Sequence, residues 1–396
     1  MNPRSANALE VVRPAYGRAS LAEVLPSVLA ALGIPGQRDR LGLAARLDGV
    51  RRVAVLLVDG LGAYQIPLAA PHAPLLAELA RDGAELTCGF PSTTPAGLAS
   101  LGAGVPPGAH GLLAFTLNVP GTDRVLNHGE WRDDPDPAVW QPARTLLDVA
   151  RAAGVAVTAV SRPEYAGSGL SVAIWRGGVY RSATGADALG TEMLGALRAG
   201  DGPTLVSGYH PDVDRAGHIH GLDSPEWRAA VAGVDGLVRR LVDGLPPDGA
   251  LLVTADHGQL NVPADRKFDI DTDPRLSAGV RVVAGEPRVR YLHTLPGARD
   301  DVLAAWRALL GPAAWVATRE EAVAAGWFGP VPEAHLQRVG DVVVACHDRY
   351  AVLATAHEPA TVANMIAYHG SYTATEMTVP LLVARPPLLH DQGVPH

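Results

Sequence analysis

Short, continuous apolar runs alternate with amphipathic stretches rich in Ala, Leu and Arg along most of this chain. Runs at 53–58, 155–160, 204–208, 251–254, 342–345 and 381–384 lack polar alternation, as strands covered on both faces do. Helical spacing marks 21–32, 74–81, 143–153, 186–199 and 225–242. In the last of these, Trp227, Val231, Val234, Leu237, Val238 and Leu241 fall on one face, the stripe of a core-facing helix. Strands and helices in turn predict βα units around a mostly parallel sheet, an α/β fold. Residues 262–340 break this rhythm with Pro, Gly and charge, and carry their own strand-like runs and a helix near 300–310. The expected division is a catalytic α/β domain from 1–261 and 341–396, with 262–340 as a small α+β insertion and candidate cap. A second polar stretch, 120–142, holds Asn127, Trp131 and Trp140, and long loops inside compact domains tend to carry function.

Composition narrows the classes. The 396 residues are 47% hydrophobic and 19% charged, enough apolar material for a large core and too little charge for disorder. A formal net charge of -8 argues against nucleic-acid or anionic-membrane binding through bulk electrostatics. Only Cys88 and Cys346 occur, in no metal or redox spacing. With no secretory leader pattern and no run long enough to span a bilayer, the expected location is cytoplasmic.

The chemistry gathers at the ends of the predicted strands. Asp59 follows the run at 53–58, and Asp256-His257-Gly258 follows the run at 251–254. Asp214 and His218 lie four residues apart beyond the run at 204–208, and His369 precedes Gly370. The carboxyl edge of an α/β sheet is where ligands bind, and carboxylate with imidazole suits zinc. Phe90-Pro91-Ser92-Thr93-Thr94-Pro95 reads as a helix start, with Thr94 at the N-cap and Pro95 first in the helix. A hydroxyl there sits at the positive dipole end, where phosphate binds and a nucleophile is favoured; Ser92 and Thr93 compete with Thr94 for the role. His210 and His220 read as loop residues. Trp131, Trp140, Phe115 and Tyr209 are candidates either for a substrate pocket or for ordinary packing.

In order and context, these segments resemble the alkaline phosphatase superfamily, and within it the nucleotide pyrophosphatase/phosphodiesterase branch. The resemblance runs from Val53 to about Val383. It implies a three-layer αβα sandwich and selects Thr94 as the nucleophile, with Gly104 and His110-Gly111 downstream as in the family pattern. It further implies that Asp214, His218 and His369 hold one zinc, that Asp59, Asp256 and His257 hold the other with Thr94 bound to it, and that His110 is structural. One departure stands out: the branch carries an Asn further along the nucleophile segment, whereas this chain has Gly97 and no Asn before Asn118.

By the same resemblance, the expected reaction is hydrolysis of a small-molecule phosphodiester or nucleotide pyrophosphate in two displacements through a phosphorylated threonine, with two divalent metal ions, zinc in the family. The alternatives are a phosphomonoesterase or phosphonate hydrolase on the same site, or a metal-stabilised binding protein whose catalysis has decayed.

Overall fold

A computed structural model describes residues 8–386. Its centre is a seven-stranded sheet in the spatial order Ala84–Thr87, Thr378–Ala384, Gly249–Thr254, Arg52–Val58, Thr204–His210, Ala156–Ser161, Val179–Ser182. Strand Arg52–Val58 pairs in parallel with both of its neighbours. Thr378–Ala384 runs antiparallel to both strands beside it, Ala84–Thr87 and Gly249–Thr254. All but the first residue of Arg52–Val58 are buried, as expected of Val-Ala-Val-Leu-Leu-Val sandwiched between helical layers.

The two layers show in the alternation of one strand. Gly208 faces Met193 of helix Gly185–Leu197, and any side chain there would collide with the thioether. Its neighbours Ser207 and Tyr209 face the other way, toward Leu25, Leu98 and Leu147. Helix Pro225–Asp243 starts where Ser224 accepts the Trp227 N–H at 3.1 Å, and it buries Trp227, Val231, Val234, Leu237, Val238 and Leu241. That is the stripe read from the sequence.

The structure departs from the sequence reading in the second sheet. It has six strands in the order Ala314–Thr318, Val342–Cys346, Val289–Thr294, Val280–Glu286, Thr116–Asn118, Val125–Asn127. The run at 342–345 therefore belongs here, antiparallel to both neighbours, and not to the central sheet. The stretch 262–340 supplies three of these strands, while Val125–Asn127 comes from the polar stretch 120–142 and Thr116–Asn118 lies just ahead of it. Helix Arg299–Leu310 lays Val302, Trp306 and Leu310 on this sheet as a second apolar core. Cys88 and Cys346 are buried free thiols.

Candidate active site

The central sheet delivers the acidic residues to one edge. Asp59 leaves the end of Arg52–Val58, and its N–H donates to the His210 carbonyl at 3.0 Å. Gly60 turns the chain with a φ of 72°, and a Cβ there would lie 2.9 Å from the Asp214 Cα, so only glycine lets the two strand ends approach. Asp256 and His257 follow Gly249–Thr254, and Asp214 and His218 sit on helix Asp212–His220. His369 arrives from the other side, behind the short strand Ala367–Tyr368, which pairs with Leu260–Asn261.

These segments meet. The ligand atoms of Asp59, Asp256 and His257 lie within 4.8 Å of one another, and so do those of Asp214, His257 and His369. His218 Nε2 is 3.1 Å from Asp214 Oδ2. The His257 and His369 rings stack with centroids 3.6 Å apart. Thr94 Oγ1 is 3.2 Å from His257 Nε2, which joins the hydroxyl to the cluster. The helix runs Thr94–Ala103 with Thr93 as its N-cap, one residue earlier than the sequence reading placed it, so Thr94 is its first helical residue.

The rival hydroxyls lie deeper than Thr94, on fully buried residues. Ser92 Oγ donates to the Ser371 carbonyl at 2.6 Å and accepts the Gly370 N–H, fixing the turn that carries His369. Thr93 is fully buried. His110 accepts the Leu112 N–H and faces Ser100, and burial, with His335 nearby, holds its pKa at about 3. It is a structural imidazole. His210 accepts the Asp212 N–H, and His220 lies 3.9 Å from Glu226, so neither joins the cluster.

The donor set fits cations. His218 Nδ1 faces the Ala367 carbonyl at 2.8 Å, His369 Nδ1 the Ser92 carbonyl at 2.9 Å, and His257 Nδ1 the Gly258 carbonyl at 3.2 Å. A carbonyl only accepts, so each Nδ1 carries the proton and each Nε2 presents a lone pair to the centre. Asp59 Oδ1 and Asp256 Oδ2 are buried without any hydrogen-bond partner. Burial pushes the Asp59 carboxyl well above the usual range, and Asp256 and Asp214 push it further. Asp256 is raised chiefly by burial, against the pull of His257. Burial also works against charge on Asp214, but His218 and the other two imidazoles outweigh it and hold that carboxyl low. A buried group of carboxylates of this kind is stabilised by positive charge.

Two residues brace this centre: Tyr209, which the sequence left open between pocket and packing, and Gln259, which it did not single out. Tyr209 donates its hydroxyl to Asp59 Oδ2. Gln259, fully buried, donates from Nε2 to Asp214 Oδ1 and to the Asp214 carbonyl, while Gln65 Nε2 donates to the Gln259 carbonyl at 2.6 Å. Gly217 makes room, since a Cβ there would sit 1.9 Å from Gln259 Oε1. Gly97 has a comparable cause: a Cβ would fall 2.7 Å from that of Asp256, so helix Thr94–Ala103 packs directly on the strand end that carries Asp256. Asn118 does not replace the missing contact, because its amide donates to the Thr122 and Arg124 carbonyls.

A cavity of about 290 Å³ opens beside Thr94, Asp59 and Asp214. Phe115, His128, Arg162, Tyr165, Trp175 and Tyr209 are among its walls, and no residue of 262–340 lines it. Trp131 and Trp140 are buried behind the wall. Trp140 Nε1 donates to His128 Nε2 at 3.1 Å, and Trp131 packs edge-on against the same imidazole. The 120–142 segment thus shapes the cavity through His128 and Gly129. Among the described residues, no helix is long and apolar enough to cross a membrane.

Comparison with known proteins agrees with this geometry. Residues 53–372 match the type I phosphodiesterase / nucleotide pyrophosphatase family. An uncharacterised pyrophosphatase/phosphodiesterase of Schizosaccharomyces pombe is 32% identical over 83 residues, which cover 20% of this chain and 17% of that protein. An alkaline phosphatase PhoD of Zymomonas mobilis is 30% identical over 108 residues, 25% of this chain and 19% of its own length. The chain thus matches less than a fifth of each of these relatives. Among solved structures, murine ectonucleotide pyrophosphatase / phosphodiesterase 5 superposes with a TM-score of 0.67 at 19% identity, covering 85% of this chain and 88% of its own. An inactive threonine-to-alanine variant of it has been solved in complex with AMP. Phosphonoacetate hydrolase from Sinorhizobium meliloti, in complex with phosphonoacetate, gives 0.64 at 19% identity, covering 88% and 92%. With four-fifths of its length matched and the alkaline phosphatase-like fold in place, the chain belongs to the type I phosphodiesterase / nucleotide pyrophosphatase family.

Proposed function

We propose that this chain is a metal-dependent phosphodiesterase or pyrophosphatase in which Thr94 attacks phosphorus. Asp59, Asp256 and His257 would hold one divalent cation, and Asp214, His218 and His369 the other, zinc being the ion that suits carboxylate and imidazole donors. Bound there, the two cations supply charge neutralisation at the attacking, leaving and non-bridging oxygens. The observation that carries the reading is the placement of Thr94 Oγ1, 3.2 Å from His257 Nε2 and beside two orphaned carboxylate oxygens. The inactive threonine variant of the murine relative supports the same reading.

This chain's own residues do the positioning. Thr94 opens a ten-residue helix whose dipole end favours the anionic phosphoryl group. Tyr209 and Gln259 hold Asp59 and Asp214 in place, and backbone carbonyls fix the three imidazoles in one tautomer. Thr94 Oγ1 gives up its proton and forms a bond to phosphorus as the bond to one ester oxygen breaks, and that arm leaves as its protonated alcohol or phosphate. Water from the open cavity then hydrolyses the Thr94–O–P bond, which returns the threonine hydroxyl and releases the phosphoryl group with its remaining arm.

The test is metal content together with hydrolysis of bis(p-nitrophenyl) phosphate and p-nitrophenyl phosphate, with and without chelator. The proposal expects bound metal, chelator-sensitive turnover and faster diester cleavage. Faster cleavage of the monoester or of a phosphonate would move the assignment to a phosphomonoesterase or phosphonate hydrolase. Bound metal without turnover would make the chain a binding protein.

A further inference from the structure

The cavity beside Thr94 differs in character from the metal cluster at its base. Its enclosed part is made by Pro95, Leu98, Ile174 and Trp175, all buried, with Phe115 and Leu170 half-buried around them. The polar groups in the same wall are mostly committed to the protein. His128 has Nδ1 3.0 Å from the Ala114 and Phe115 carbonyls, and its Nε2 accepts from Trp140. Ser168 accepts the Ser171 N–H at the start of helix Gly169–Trp175 and donates to the Ser171 hydroxyl. The Gly129 N–H goes to Asn127 Oδ1, Arg162 is paired with Asp212, and Tyr209 with Asp59. Beside the apolar patch of Leu98, Ile174 and Trp175, the lining groups left for a ligand are the Ser171 O–H, the Arg162 N–H groups that Asp212 and Glu164 do not use, the half-buried Tyr165 hydroxyl and the exposed Arg215.

From this wall we infer that the cavity takes one organic arm of the substrate as an apolar or aromatic group, and does not read the hydrogen-bonding edge of a nucleobase. The inference rests on the phosphodiesterase reading for what Thr94 does to the substrate. Its physical basis is separate. A base edge buried against Leu98, Ile174 and Trp175 gives up water without finding a donor or acceptor, whereas an aryl or alkyl group loses nothing polar and gains the apolar contact. The substrate class is therefore a phosphate ester with an aryl or branched alkyl arm, anchored by its phosphoryl group at Thr94.

Ligands with a single arm test this by calorimetry on the metal-loaded full chain: methyl phosphate, 1-naphthyl phosphate, AMP and UMP. The dissociation constant should fall roughly tenfold or more from methyl to naphthyl phosphate. AMP and UMP should differ by less than about threefold and bind more weakly than naphthyl phosphate. Leu170→Asn should raise the naphthyl phosphate constant roughly tenfold while leaving methyl phosphate within about twofold, which also shows that the variant is folded. Equal binding of methyl and naphthyl phosphate, or either nucleotide binding tighter than naphthyl phosphate, overturns the inference. The expected order of binding without turnover of any diester supports the cavity inference and overturns the phosphodiesterase reading.

Discussion

Gln259→Leu tests whether Asp214 is held by the protein in the orientation a cation needs. The wild-type amide is buried and donates twice, to the Asp214 carboxylate and to its backbone carbonyl. Leucine nearly conserves volume and removes both donors. A hydrogen bond to a carboxylate contributes about 1.5–3 kcal/mol, and a neutral one about 1 kcal/mol. Water can replace part of that loss only if it enters a space that Gly217 leaves for Gln259 Oε1 alone. Loss of a group that orients a metal ligand typically lowers affinity about 10–100-fold. The expected result is a drop of that size for one cation, the one proposed for Asp214, His218 and His369, with the other changed by less than about threefold. Competition with a chromophoric chelator at fixed pH resolves the two steps, and circular dichroism checks that the variant is folded. Unchanged affinity for both ions in a folded Gln259→Leu protein would refute the bracing role.

Further outcomes follow from other contacts. Glu286 is buried, its Oε2 accepts the Phe115 N–H at 3.0 Å, and burial raises its pKa from 4.5 to about 7. An acid raised on folding costs nothing below its unfolded pKa and destabilises fully above the folded one, by about 3 kcal/mol for a shift of this size. Glu286→Gln should therefore be more stable than wild type to urea at pH 8 and lose that advantage by pH 4.5; no gain at pH 8 would contradict the burial argument. Arg288 and Glu376 form a fully buried pair with bonds of 2.7 and 2.8 Å, and Glu376 also accepts from Ser371 N beside the His369 turn. Arg288→Met should cost about 3–5 kcal/mol in denaturant unfolding, whereas a loss below 1 kcal/mol would mean that the charge is not stranded. Gly97→Ala forces the nucleophile helix off Asp256 and should cost about 1–3 kcal/mol and also lower turnover. Wild-type stability and activity in that variant would show that the helix shifts freely.

The sequence displayed those parts of the fold whose residues are dictated by two-sided burial. Arg52–Val58, Thr204–His210 and Gly249–Thr254 are continuous apolar runs because helices cover both faces of the sheet. The edge strands Ala84–Thr87 and Val179–Ser182 are short and largely uncovered, so they carry no such run. Val342–Cys346 is five buried residues and reads alike in either sheet; only its antiparallel partners, distant in sequence, decide where it goes. The chemistry-bearing side chains were legible because strand ends deliver them together. Gln65 and Gln259 were not, since a glutamine becomes a brace only through neighbours distant in sequence, 45 residues for Gln259 and Asp214 and 194 for Gln65 and Gln259. The Trp131 and Trp140 loop reaches the cavity wall, but the tryptophans support His128 from behind and leave the lining to others.

The central claim is that Thr94, and no other hydroxyl of its segment, carries the phosphoryl group. Rapid acid quench of the metal-loaded protein during turnover of bis(p-nitrophenyl) phosphate, followed by peptide mass spectrometry, reads this directly. The account predicts a p-nitrophenyl phosphoryl adduct on Thr94, and neither adduct nor turnover in Thr94→Ala with its metal still bound. An adduct on Ser92 or Thr93, or undiminished turnover in Thr94→Ala, would contradict it.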